Sequence, residues 1–170
     1  MKALTLWQPW ASAVAVGAKR IETRAWSTDY RGPLAIHAAK TKRGVMELAG
    51  RSVVAMPPAW RAALAPALGS PEAHQLLTLP VGAVVAVAHL VDVVPADDPR
   101  VQDLAATVRM HFADLDAGEW CENELGEFGP GRYAWLLDRV QCLVPHVPAA
   151  GRQGLWSWPA PGTVSAEVLS

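Results

Sequence analysis

The sequence predicts a mixed α/β (α+β) fold, a small β-barrel with flanking helices, and three observations predict it. Strand-like segments sit at both ends of the chain with helical sequence between them. The early strands are joined by short connections. The β-branched run Val81 to Val94, bounded by Pro80 and Pro95, reads as a central strand. A doubly wound parallel sheet would instead alternate strands and helices throughout.

Ala3 to Trp7 alternates and is β-prone, so it forms the first strand. Gln8-Pro9 ends it. Proline suits the first turn of a helix, where its missing N–H costs no bond, and Trp10 to Val16 follows as a short apolar helix stopped by Gly17. Arg20 to Trp26 is the second strand, Asp29 to Pro33 a turn, and Leu34 to Ala39 the third strand. Residues 42–79 read as a helical insertion on the outside of the barrel, broken by Pro57-Pro58, Pro66 and Gly69 to Pro71. Beyond the central strand, Pro99 to Leu115 is helix-like and Asp114 to Glu127 an acidic loop. Arg132 to Val144 and Leu155 to Trp158 supply the last two strands. Residues 1–160 are thus expected to form one domain and residues 161–170 a loosely held tail.

Composition sets further bounds. Of 170 residues, 51% are apolar, ample for one core, and only 18% are charged, which argues against extensive disorder. The formal net charge of −1 means that any basic site must be local. Residues 19–43 carry seven lysines and arginines against Glu22 and Asp29, whereas residues 92–127 carry ten acids against Arg100 and Arg109. The first segment favours phosphate and the second repels it, although two solvated surfaces of opposite sign fit the same count. Cys121 and Cys142 lack CxxC spacing, no charged leader precedes a long apolar stretch, and the apolar run 81–91 is too short to span a bilayer. A cytoplasmic protein with no membrane association is expected. The five histidines have no metal-like spacing, and no phosphate-binding P-loop, dinucleotide fingerprint or zinc-protease motif occurs, so neither metal nor cofactor is expected.

The most informative stretch follows the first helix. In a strand, Arg20, Glu22, Arg24 and Trp26 share one face while Ile21, Thr23 and Ala25 share the other. The first face is a ladder of cation, anion, cation and indole. It can present guanidinium groups to phosphate or a base edge beside an aromatic stacking surface. The spacing alone fits equally a surface ion-pair ladder beside core indoles.

Residues 6–12, Leu-Trp-Gln-Pro-Trp-Ala-Ser, are followed by Gly17, Lys19, Glu22 and Arg24 in a Gly-x-Lys-x-x-Glu-x-Arg pattern. Then come Trp26 and the Arg31-Gly32-Pro33 run leading to His37, and near the end Tyr133-Ala134-Trp135 and the run Gly151 to Trp156. Together these resemble the ASCH (activating-signal cointegrator homology) family over about residues 3–158. The resemblance implies a PUA-like β-barrel that binds RNA, single-stranded DNA or a nucleotide-like small molecule in a cleft beside the first helix. Carried over, that cleft would be lined by Gln8, Trp10, Lys19, Glu22 and Arg24, with Arg31, His37 and Lys40 as neighbours and Arg152, Gln153 and Trp156 closing the other side. Lys19 and Arg24 would hold phosphate.

Some relatives are hydrolases, and an acetylcytidine amidohydrolase branch uses a Lys-x-x-Thr pair. Here the threonine position is Glu22, and the adjacent Thr23 lies on the opposite strand face. A different hydrolytic set, Lys19, Glu22 and His89, would combine a cation with two proton-transfer groups for RNA cleavage. A third expectation is a protein-interaction module whose acidic face, residues 97–127, meets a basic partner.

Overall fold

The protein is described by a computed structural model, which covers residues 1–41, 78–101, 103–104, 126–162 and 164. Apart from their ends, the expected insertion at 42–79, the helix and acidic loop over 99–127 and the tail lie outside the described residues.

Within the described residues the elements run in chain order: β1 (Lys2–Leu6), α1 (Trp10–Ala15), β2 (Ile21–Arg24), β3 (Gly32–Ala38), β4 (Ala83–Pro95), β5 (Tyr133–Pro148) and β6 (Leu155–Ser157). They make one six-stranded sheet in the order β2-β5-β4-β3-β1-β6. β1 runs parallel to β3, and every other neighbouring pair is antiparallel. The expected strands are all present, and their ends shift by at most four residues.

The two long strands form the spine. Their ladder breaks register at Val84/Ala86, Val87/His89 and Leu90/Asp92, and β3–β4 breaks at Ile36/His37. Each irregularity adds local twist and bend, so the sheet curls into a half-barrel of the mixed α+β, PUA-like kind.

The helix fills the inside of the curl. Pro9 precedes it, and Gly17, at φ 77°, ends it in a conformation that only glycine adopts without strain. Ala11, Val14 and Ala15 pack with Leu4, Leu34, Ile36, Leu90, Trp135 and Leu137 in the main core. Alternation along β1 and β3 sends Ala3 and Ala35 to the other face, where Trp156, Trp158 and Val164 cover them. Ile21 packs separately against Val94, Val101 and Ala134. Both faces of β2 are therefore covered: Glu22 lies opposite Trp135, and Trp26 meets Trp135 edge to face at 4.7 Å. That is why the charged ladder is largely sunk rather than splayed on the surface.

Candidate functional site

Among the described residues the curl leaves β2 as an outer strand of the sheet facing β1, and the β1–α1–β2 connection spans the opening. The Arg20 carbonyl accepts the Leu137 N–H at 2.8 Å, so in antiparallel alternation the Ile21 and Thr23 carbonyls face away from β5. Two cations meet them. Lys19 Nζ donates to the Ile21 oxygen, and Arg132 Nη2 donates to the Thr23 oxygen at 3.2 Å. A sheet edge blunted this way does not offer itself to another strand.

Across the opening, Arg24 Nη2 donates to the Thr5 carbonyl on β1 at 2.9 Å. A side chain thus links the two sides of the curl where no strand ladder does. Beside this link lies a cavity of about 450 Å³, lined by Thr5, Leu6, Trp7, Trp10, Glu22, Thr23, Arg24, Gly126, Glu127 and Arg132. Among the described residues its charges balance: two guanidinium groups face two carboxylates. Glu22 Oε1 lies 3.1 Å from Arg24 Nε, Glu22 Oε2 lies 3.5 Å from Lys19 Nζ, and Glu127 Oε2 lies 3.2 Å from Arg132 Nη1.

The expected site residues separate into four groups. Trp10, Glu22 and Arg24 meet at the cavity. Lys19 and Gln8 stand behind it, both fully buried. Lys19, expected to touch phosphate, instead holds Glu22 and the β2 edge, because strand alternation and the covering helix turn it inward. Gln8 braces the start of α1: its Oε1 accepts the Ser12 N–H at 3.1 Å, while its Nε2 donates to Ser12 Oγ at 2.9 Å and to the Pro80 carbonyl at 2.7 Å.

A third group lies beyond β1. Thr5 Oγ1 donates to the Arg152 carbonyl at 2.8 Å and accepts from Trp156 Nε1 at 3.1 Å. His37 is buried beside them, edge to face with Trp156 at 5.7 Å. Its Nε2 lies 3.0 Å from the Ala149 carbonyl and must carry the proton, which leaves Nδ1 as a buried lone pair. Burial pushes the His37 pKa below the ordinary histidine value, and the Ala149 bond offsets this in part. Arg152 and Trp156 line a second hollow of about 360 Å³ with Trp158, Pro148 and Pro159, and Gln153 is exposed. Arg152 and Trp156 brace Thr5, and neither they nor His37 nor Gln153 lines the first cavity.

The fourth group lies away from the cavity. Arg31 pairs with Asp92 at 2.8 Å, and its hydrogen bonds hold the Asp92 carboxyl below the usual carboxylate range. Lys40 packs its stem near Gly82. His89 pairs across β5 with Asp138, whereas Glu22 lies opposite Trp135 and so in register with Val93. Four residues of β4 separate the two levels, about 13 Å at ordinary strand rise. The hydrolytic set of Lys19, Glu22 and His89 is therefore not assembled.

Sequence reasoning missed Thr5, Trp7, Thr23, Glu127 and Arg132. Thr23 was placed on the far face of β2, yet it lines the cavity, because the hollow wraps over an outer strand and draws on both faces. Its Oγ1 accepts the Glu127 N–H at 3.1 Å. Arg132 had one faint signal, its place immediately after the Gly129-Pro130-Gly131 turn and at the mouth of β5. Its partner strand is more than a hundred residues away in sequence, and only the fold reveals it.

Among solved structures, nine chains match. The crystal structure of ASCH from Zymomonas mobilis is 14% identical, covers 86% of this chain and 72% of its own, and gives a TM-score of 0.43. A single-site variant of that protein is 16% identical, covers 86% and 74%, and gives 0.41. No curated protein matches. The ASCH domain model matches residues 4–137, a stretch holding most of β1, all of α1, β2, β3 and β4 and every residue named in the cavity lining, and the chain belongs to the ASCH domain family.

Proposed function

We propose that this protein binds single-stranded nucleic acid by taking one unpaired nucleotide into the cleft beside α1. The ASCH family is associated in general with nucleic-acid binding. The observation that carries the finer reading is the placing of Trp7 and Trp10 on a cavity of about 450 Å³ that also holds Glu22, Arg24 and Arg132. That volume is ordinary for a small-molecule cleft, and it accommodates one nucleotide rather than a length of duplex. Indole faces stack on any base. Arg24 donates to base oxygens or ring nitrogens, and the Glu22 carboxylate accepts from an exocyclic amine. A base inside a duplex reaches neither, so unpaired or extruded bases are the ligands.

The balanced charge of the lining has a consequence. A long basic track binds through many phosphates and weakens steeply with salt, whereas this cleft makes few phosphate contacts and its salt dependence is shallow. The test is a titration of tryptophan fluorescence with short single-stranded RNA, single-stranded DNA and a duplex, at two salt concentrations. The single strands bind and the duplex does not. Trp10→Ala loses about 1–3 kcal/mol of affinity, the usual contribution of one base–aromatic stack. Absence of single-strand binding, or binding unchanged in both Trp10→Ala and Arg24→Ala, overturns the reading.

A further inference from the structure

The cleft holds two arginine–glutamate pairs, and they are built differently. Glu22 is clamped. Its side chain is 11% exposed and sits between Lys19 and Arg24, while Arg24 is itself tied to the Thr5 carbonyl. Pulling Arg24 away from Glu22 would leave a sunken carboxylate short of one partner.

Glu127 is the opposite case. Its side chain is 80% exposed, on the short segment before β5, and its carboxylate reaches Arg132 Nη1 at 3.2 Å. Arg132 is anchored beneath it: 28% exposed, with Nη2 on the Thr23 carbonyl and Nε buried, without a hydrogen-bond acceptor among the described residues. The guanidinium is fixed, and the anion lying on it is free to swing into water. Exposed ion pairs of this kind are weak, so little opposes the exchange. A planar guanidinium also matches a phosphate through two parallel donors better than it matches a single carboxylate oxygen.

We infer that Arg132 is the phosphate subsite of the cleft and that Glu127 is the exchangeable anion occupying it before the ligand arrives. This rests on the reading of the cleft as a nucleotide site and gives it a substrate class: nucleotides carrying a phosphate, in preference to nucleosides. The ligand phosphate replaces the Glu127 carboxylate on Arg132, at the solvent-facing rim, while the base enters between the indoles and Glu22. One negative charge leaves the guanidinium as another arrives. Arg24, locked to Glu22, serves the base.

Calorimetric titration of the four ribonucleosides, their 3′- and 5′-monophosphates and inorganic phosphate tests this on the wild-type chain, Glu127→Gln and Arg132→Ala. Monophosphates bind more tightly than nucleosides. Glu127→Gln tightens the monophosphates by about two- to fivefold relative to nucleosides, the worth of an exposed ion pair no longer in competition. Arg132→Ala abolishes the preference for phosphate. Should that variant fail to fold, Arg132→Lys serves instead: it keeps the charge, loses the fork, and narrows the preference. Inorganic phosphate displaces bound monophosphates and not nucleosides. The subsite is overturned if Glu127→Gln leaves monophosphate affinity unchanged or weaker relative to nucleosides, or if the preference survives in both Arg132 variants. Nucleosides binding as tightly as monophosphates to the wild type removes the subsite alone. Failure of both to bind removes the nucleotide reading itself.

Discussion

The two sides of β1 make opposite use of residues that the sequence marks as special. On one side lies the cleft, where Glu22, Arg24, Glu127 and Arg132 line an open hollow in paired charges. On the other lies the knot of Thr5, His37, Gly151, Arg152 and Trp156, which buries His37. Thr5 belongs to both: its carbonyl holds Arg24, and its hydroxyl holds the Arg152 backbone and the Trp156 indole. The difference teaches that a polar side chain in a family motif need not touch a ligand. Residues with every donor and acceptor engaged inside the protein, such as Gln8, brace the site. Those whose partners can be exchanged or supplemented are the candidates for contact with a ligand.

The sharpest way to break that distinction is Lys19→Ala. If Lys19 is a brace, its removal leaves the Glu22 carboxylate with one partner fewer in a largely buried place and destabilises the fold by about 3 kcal/mol, read from denaturant unfolding. A small stability loss combined with collapse of oligonucleotide affinity would make Lys19 a ligand contact and erase the contrast.

Next comes Gly151→Ala. A methyl group there would sit 2.3 Å from His37 Cε1 and 2.5 Å from Nδ1, so the Gly151 backbone lies directly on the imidazole. Overpacking of this kind costs about 1–3 kcal/mol. The double variant with His37→Ala loses less than the sum of the two singles, because the clash has gone. Additive losses would mean that the loop does not rest on His37.

The buried imidazole also sets a pH dependence. Its folded pKa is depressed by burial, so the unfolded chain binds the proton more readily. The His37 contribution to stability is then complete above about pH 6.5, falls as the pH drops below it, and levels off once the folded ring is protonated. Comparing unfolding of the wild type and His37→Gln across pH 4–8 isolates it. A difference that stays constant over this range contradicts the closed, neutral environment.

The smallest effect sharpens the contrast from outside. Arg31 lies on the surface, paired with Asp92, away from the cleft. Arg31→Ala costs below about 1 kcal/mol and leaves oligonucleotide affinity where it was, although the family resemblance places this residue near the ligand. A clear loss of affinity would extend the site around β3.

Much of the architecture was legible in advance because it follows from local rules. Strand alternation, Pro9 before the helix and Gly17 after it mark β1, α1 and β2, and the β-branched run from Val81 marks β4. Within the site, the pairing of Glu22 with Arg24 follows from their spacing on one strand face. The hydrolytic set with His89 failed for a nonlocal reason: register across β5 places it at a different level of the sheet. Thr23 lies on the opposite face of β2 from Glu22, as alternation expects, but a rule about strand faces says nothing of a hollow that folds over an edge and takes in both.

By itself the sequence determined the elements, the family and the charged ladder on β2, since periodicity, turn residues and i,i+2 spacing act over a few positions. Only the tertiary structure decided that Lys19 and Gln8 are buried behind the cleft, that Arg132 and Glu127 share it with Arg24, and that His37 is shut away under Gly151. Those outcomes depend on which distant strands pair and where the curl leaves an outer strand, and both are set by packing across the whole sheet.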